Sequence, residues 1–380
     1  MNALRTRLPL AVRRSLRWIV AIAAIVMVGR SVQWRDSIEL VGGETRHGWI
    51  EAATGGFHLT DGAGIQHSLE ESHIARDADG TLRIQLGLFT SARHSRVSAL
   101  AAAILLFSLT PVLQALRLSV LLSSERILLP LSDSVRLAFA GNFMNFAAPF
   151  GSTAGDAYKA IALAQRVERS AEAATVVLLD RAVGLGTLLA SVALVCVLGT
   201  DARLAAVRPF VLFFSIAIAI GVVAYLLAGP ALLAQWTHRL RRRDVIERVD
   251  ELLRRRLLRP GALILAVLVT FGIQLLAAGA FVMVCAALHM HTAADGFATI
   301  YAYFSAGELI RALPGPPQGL GTMELAYRYF FADCGTASQI LSAAVLIRMV
   351  NLLCSLPGVL WIGGVLPSAS VQPRPARATA

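Results

Sequence analysis

Charge is scarce in this sequence. Asp, Glu, Lys and Arg make up 16% of 380 residues, against 56% apolar residues, and the mean hydropathy is +0.64. A soluble domain could not clothe its surface with so little charge, so the long apolar runs read as a polytopic helical membrane protein. Cysteine is scarce as well. Cys196, Cys285 and Cys354 fall inside apolar runs and Cys334 lies near the end of one, which excludes a disulfide framework and zinc-type spacing. There is no nucleotide-binding loop, so ATP is not expected to drive anything, and no nucleophile or metal motif of an enzyme stands out. No cofactor and no metal is expected. Asp77-Ala-Asp79 has the form of a metal-holding DxD but precedes Gly80 at a turn signal, and His289 with His291 is a bare pair. Acidic residues are outnumbered, 24 to 35, for a net charge of +11. The arginines collect between apolar spans, where cytoplasmic loops and anionic lipid account for them, so nucleic acid is not an expected partner.

What is present is a stretch that occurs twice, from Asp133 to Arg181 and from Asp295 to Arg348. Each copy opens with an acidic residue and a mostly apolar, helix-compatible run. Each then breaks, at Pro149-Phe150-Gly151 and at Pro314-Gly315-Pro316-Pro317. A carboxylate follows, Asp156 after Gly155 and Glu324 after Met323, and then an arginine, Arg181 or Arg348, 25 and 24 residues further on. Repeats organise a fold, and broken apolar segments at matching places in two halves of a membrane protein point to its binding site.

The chain divides into four parts. Residues 1–33 carry Arg5, Arg7, Arg13, Arg14 and Arg17 ahead of an apolar run and read as an uncleaved anchor helix with its N-terminus in the cytoplasm. Residues 34–96 alternate in short runs between turn signals such as Gly42-Gly43, Gly55-Gly56 and Asp61-Gly62. Strands are expected at 37–41, 48–53, 57–60, 65–69 and 81–89, a pattern that resembles a small SH3-like or Sm-like barrel. With nine acidic and six basic residues over 35–96, this β-rich insert belongs outside the cytoplasm. Residues 97–366 form the transmembrane domain, and 367–380 a cytoplasmic tail. Counting the anchor, about six spans are expected, the later ones near 97–122, 173–198, 209–227, 262–288 and 337–365. Two re-entrant hairpins, 133–165 from the cytoplasm and 295–331 from outside, complete an inverted repeat. The basic segment Arg239–Arg259, with Val245, Val249, Leu252 and Leu253 at helical spacing, reads as an amphipathic helix holding anionic lipid headgroups at the inner surface. An ordinary positive-inside loop reads equally well. The fold class is thus an all-α polytopic membrane protein of the bacterial inner membrane, with both termini cytoplasmic. The sequence carries no sign of its oligomeric state.

An ionisable side chain in the middle of an apolar segment costs roughly 2.5–3.5 kcal/mol on insertion scales. The repeats hold many: Asp156, Lys159, Asp180, Arg181, Glu308, Arg311, Glu324, Arg328 and Arg348. Helical spacing pairs Asp156 with Lys159, Glu308 with Arg311 and Glu324 with Arg328. Two readings stand side by side: ion pairs that pin the hairpins, or the lining of a wet cavity for a charged headgroup. Arg181 and Arg348 either bind a lipid phosphate from opposite halves or each pair with their own carboxylate. Asn142 and Asn145 contact substrate or glue helices together. Pro149, Gly151, Gly155, Pro314, Gly319 and Gly321 are expected at the hairpin turns, where the chain must bend and approach closely.

These residues carry a family resemblance. Asn142-x-x-Asn145-x-x-x-Pro149, Gly155-Asp156 and Asp180-Arg181 resemble the first signature of the lysylphosphatidylglycerol synthase transmembrane region. Pro314-x-x-Pro317-x-Gly319-x-Gly321-x-x-Glu324, Gly335, Arg348 and Pro357-Gly358 resemble the second. The resemblance covers about 97–366 and lacks the soluble aminoacyl-transferase domain of the full synthase. A Pro-Gln stands where many relatives have a glycine-rich turn. The resemblance implies a flippase-like lipid translocase rather than an enzyme, moving a charged-headgroup or isoprenoid-linked membrane lipid between leaflets. The rivals are a membrane-embedded lipid-modifying transferase and a non-transporting scaffold. The topology has a direct test: Ser68→Cys should react with an impermeant thiol reagent in intact cells, and labelling only after permeabilisation would reverse the orientation.

Overall fold

The computed structural model describes residues 34–362, apart from 54, 77–79, 81, 86, 88–89, 91–92, 94, 148–152, 168–169, 200, 238–242, 259, 291–295 and 313–321; side chains are also left out over 228–246 and at a few single positions. The anchor at 1–33, the tail, Asp77-Ala-Asp79, His291 and the turn residues Pro149, Gly151, Pro314, Gly319 and Gly321 lie outside the described residues. The chain is mostly helical, with a small antiparallel sheet ahead of the helices.

The sheet contains β1 (Asp36–Glu39), β2 (Thr45–Ala53), β3 (Gly56–Thr60), β4 (Gln66–Glu70) and the two-residue β5 (Ile84–Gln85), in the order β4-β3-β2-β1-β5. Gly43 and Gly55 turn the first two hairpins with φ of 80° and 86°, a region that costs other residues strain. Ile38, Leu59, Leu69 and Ile74 form the core. The segment after β4 is joined by antiparallel bridges to the end of β1, Leu40 with Ile74, and to the approach to β5, Arg76 with Leu82, as in the small barrel that the strand pattern resembles. Within the expected fifth strand, 81–89, Ile84–Gln85 are strand, while residues 81, 86, 88 and 89 lie outside the described residues. Asp36 accepts from the Gly87 amide at 2.6 Å, the Ile50 amide at 2.9 Å and the Thr90 hydroxyl at 2.8 Å.

Eleven α-helices follow among the described residues: α1 (Val97–Ser108), α2 (Thr110–Ser124), α3 (Leu131–Ala147), α4 (Ala154–Ala164), α5 (Ser170–Leu198), α6 (Ala202–Thr237), α7 (Arg243–Leu258), α8 (Gly261–Ala287), α9 (Gly296–Ala312), α10 (Thr322–Phe330) and α11 (Ala337–Ser355). A 3₁₀ turn, Leu356–Trp361, closes the described chain. Among the described residues five segments are long and apolar enough to cross a membrane: Val97–Ser124, Ser170–Leu198, Ala202–Leu227, Gly261–Ala287 and Gln339–Trp361. The span expected at 97–122 is two helices, broken at Leu109 because Pro111 cannot continue a helix but starts one well. The span expected at 337–365 ends as helix at Ser355, two residues before Pro357. At its start Thr336 and Gln339 form a reciprocal cap.

The bundle is wrapped around α8, which packs on α1, α2, α5, α9 and α11. Buried fractions separate centre from edge: 67% of the apolar window of Gln339–Trp361 is inside the protein, against 6% for Ala202–Leu227. The latter exposes Phe210, Phe213 and Phe214, as a lipid-facing helix would. The legs of the two hairpins are shorter than spans. At 1.5 Å per residue, α3 and α9 reach about 26 Å, and α4 and α10 about 14–17 Å, against roughly 30 Å of hydrocarbon. They lie at opposite ends of α5. α4 leads into its N-terminal end, while Arg203, just past its C-terminal end, donates to the Phe330 carbonyl at 3.0 Å and pairs with Asp333.

Glycine lets the first hairpin close on itself. A Cβ on Gly155 would lie 2.2 Å from the Gly141 carbonyl oxygen, and Asn145 accepts from the Gly155 amide at 2.7 Å. Gly155 gives the close backbone approach expected of it, but from the first turn of α4, where that helix crosses α3, rather than from the turn itself. The other flank of α3 is met by Gly358, whose added Cβ would lie 2.2 Å from the Phe139 carbonyl oxygen.

Asp36→Ala removes three hydrogen bonds to a carboxylate, each worth about 1.5 kcal/mol or more. It should destabilise the β domain by about 4–5 kcal/mol while the helical domain stays folded. Amide hydrogen exchange in the full-length protein reads this out, as lost protection in β1–β3 with protection of α8 unchanged.

Candidate functional site

Between the hairpins and α8 lies a cavity of about 220 Å³ with a polar lining deep inside an apolar bundle. The first hairpin contributes Asn142, Asn145, Asp156 and Lys159, and α5 contributes Asp180 and Arg181. From the second hairpin come Ser305, Glu308 and Arg311, and α11 adds Asn351. Beside it is an annex of about 20 Å³, which shares Phe107, Glu308, Arg311 and Asn351 with the main cavity and is lined in addition by Met323, Ile347 and Arg348. Of the residues expected at a site, eight line the main cavity. Arg348 lines the annex, and Glu324 is held to it.

Every carboxylate here has a cation. Asp180, 2% exposed, takes a two-pronged contact from Arg117, Nε to Oδ1 at 2.6 Å and Nη2 to Oδ2 at 3.0 Å, while Arg117 Nη1 donates to Thr270 at 3.1 Å. That fork ties α2, α5 and α8 together. Glu308 receives Arg311 Nε on both oxygens, at 3.1 and 3.0 Å, as the i,i+3 spacing predicts. Asp156 lies 3.6 Å from Lys159 Nζ and 3.4 Å from Arg181 Nη1, contacts longer than a hydrogen bond. Glu324 meets Arg348 Nη1 at 2.7 Å. Spacing along α10 points Glu324 at Arg328; Arg348 reaches it from the neighbouring helix α11. Each repeat arginine therefore pairs with the carboxylate of its own hairpin. Asn145 is occupied by the Gly155 amide, so it acts at least as helix glue.

The sequence reading missed Arg117, Thr270, Gln274 and Asn351. Arg117 had a signal, since it is an ionisable residue inside an apolar span, but it lies outside the repeat. Gln274 lacks charge and gains meaning only from position: Tyr301 and Ser191 both donate to its Oε1, at 2.6 and 3.1 Å. Among the described residues no three His, Cys, Asp or Glu side chains converge as a metal cage.

The arrangement can hold a polar, charged group inside a membrane domain. The comparison with known families agrees in kind: the lysylphosphatidylglycerol synthase TM region matches residues 87–358, which takes in both hairpins and every residue of the cavity. The chain belongs to this family. No curated protein is matched. Membership and the apolar helices together make this an integral membrane protein of lipid handling.

The Arg117–Asp180 fork can be tested as a structural element. Arg117→Leu strands a buried carboxylate and should cost about 3–5 kcal/mol, whereas Arg117→Leu with Asp180→Leu should regain most of it. Thermal unfolding in detergent measures both, and a double variant no more stable than the single one would contradict the pairing argument.

Proposed function

We propose that this member of the family is a lipid translocase, carrying a charged-headgroup or isoprenoid-linked lipid between leaflets. The observation that supports it best is the cavity itself, a charged, polar chamber fed by both hairpins inside a bundle whose outer surface is apolar. Such a chamber can shelter a headgroup while the acyl chains stay in the bilayer. On this reading the two hairpins form an inverted repeat, since they are attached at opposite ends of α5. Rocking one hairpin against the other would then open the chamber to each leaflet in turn. The protein carries the lipid and does not alter it, so it is no enzyme, and net movement follows the lipid's own gradient. In the bacterial inner membrane the β domain faces outward and both termini face the cytoplasm. The basic helix α7 rests on anionic headgroups at the inner surface, with Leu252 turned to the bundle and Arg255 exposed.

Reconstitution into vesicles tests this. Fluorescent phospholipid in the inner leaflet should become accessible to a membrane-impermeant quencher faster with protein than without it. Replacing the Glu308–Arg311 pair by Gln and Met removes a charge of each sign from the chamber and should slow the exchange at least about tenfold, the loss of one charged hydrogen bond. Exchange no faster than in protein-free vesicles would overturn the reading.

A further inference from the structure

The β domain carries its charges unevenly. All nine carboxylates of 35–96 fall between Asp36 and Asp79, whereas three of the six arginines, Arg35, Arg93 and Arg96, stand where the chain enters and leaves, and all three are exposed. Entry and exit lie side by side. A Cβ on Gly87 would lie 2.4 Å from the Trp34 carbonyl oxygen, and Thr90 donates to Asp36 at 2.8 Å. Both ways out of this corner lead to apolar chain. Residue 34 follows the apolar run 18–28, and Val97 opens the span Val97–Ser124, where the Arg96 amide donates to the Ala287 carbonyl at the end of α8 at 3.2 Å. β5 also packs on α11.

Exposed apolar side chains gather at the same corner. A Cβ on Gly62 would lie 2.6 Å from Arg35 Nη1, so the β3–β4 turn rests against the entering chain. That turn carries Ile65, 58% exposed. Trp34 is 48% exposed, and Trp49, 39% exposed, is paired with Thr60 at the foot of the turn. The carboxylates nearby do not oppose an anionic neighbour. Asp36 is buried under three donors, and Asp61 is turned into its own loop, accepting from the Ala63 and Ile65 amides at 2.9 Å with His67 3.2 Å away. Tryptophan beside arginine suits a membrane–water interface, where the amphipathic ring sits at headgroup level and the guanidinium meets phosphate.

We propose that this corner of the β domain docks on the anionic lipid surface, with Trp34, Trp49 and Ile65 entering the headgroup layer and Arg35, Arg93 and Arg96 meeting lipid phosphates. The inference is independent of the translocase reading and holds for either side of the membrane. Two chain connections and a lipid footprint then fix the domain over the ends of α1, α8 and α11, so that it does not swing on its linkers. The far end of the domain stays in water. Val41, 70% exposed, lies beyond the other end of β1, roughly 20 Å from Trp34 at the rise of a strand.

The test uses the full chain in nanodiscs of mixed phosphatidylcholine and phosphatidylglycerol. The four native cysteines are buried, so a nitroxide reagent reaches only an introduced one. Ile65→Cys and Val41→Cys are labelled in separate samples; both sites are apolar and exposed, so exposure alone would treat them alike. At 65, dissolved oxygen should relax the label more strongly than a water-soluble nickel chelate, and at 41 the order should be reversed. Trp34→Ser with Trp49→Ser should bring 65 to the behaviour of 41. Should that variant fail to fold, the two labels in the native background decide. Nickel access at 65 equal to that at 41 overturns the proposal. Shielding of 65 from both reagents would show protein as its cover and overturn the lipid assignment. Immersion that survives the loss of both tryptophans in a folded variant overturns their part as anchors. Nanodiscs of phosphatidylcholine alone should hold 65 less deeply, and an unchanged depth there overturns the contact of the arginines with anionic lipid.

Discussion

Hydrocarbon does not tolerate an ion without a counter-ion, and this protein is built around meeting that demand. Each ionisable residue in the centre of the helical domain is answered by one on a neighbouring helix or the next turn, and those answers dictate which helices must touch. Arg117 reaches from α2 to α5 and fixes α8 through Thr270. Glu324 brings α10 against α11 through Arg348. The packing around these contacts is apolar and adaptable, and aromatic side chains such as Phe281, Tyr303, Tyr327 and Phe331 fill the space behind the second hairpin. The ion pairs say where the helices go, and the aromatic packing makes the arrangement stable.

The two halves satisfy the same demand unequally. In the second, Arg311 meets Glu308 at 3.0 Å and Arg348 meets Glu324 at 2.7 Å. In the first, a single carboxylate stands between a lysine and an arginine at distances too long for hydrogen bonds. The ion contacts of the two hairpins therefore differ in length, even though the halves resemble each other in sequence. The side with the looser contacts is the one where a ligand can replace a protein group at least cost.

Much of this was legible in the sequence, because membrane proteins place ionisable residues inside apolar runs only for a reason. That rule alone found Asp156, Lys159, Asp180, Arg181, Glu308, Arg311, Glu324 and Arg348, and the breaks at proline and glycine found the hairpins. Partners across helices were harder. Local spacing pairs Glu308 with Arg311, as found, but it cannot point to Arg348 as a partner of Glu324, because sequence distance carries no information about which face meets which neighbour. Arg117 escaped because the repeat drew attention away from the span before it. A glycine after a break signals a bend and a close approach; that the approach of Gly155 is to α3 is a tertiary fact. In the β domain the turn signals mark out four strands, and Ile84–Gln85 is strand within the fifth expected run.

The glycine contacts on α3 bear on how the protein is made. Phe139, Ala140 and Gly141 are gripped from one side by Gly155, synthesised moments later, and from the other by Gly358, in the last described turn. Tyr158 of α4 also donates to the Trp361 carbonyl at 3.1 Å, a second tie between the early hairpin and that turn. The first hairpin thus enters the membrane well before its packing partner exists. During synthesis its polar face must be sheltered by something temporary, whether lipid headgroups, water at the interface or the insertion machinery, and it reaches its final seat only once residue 358 has left the ribosome.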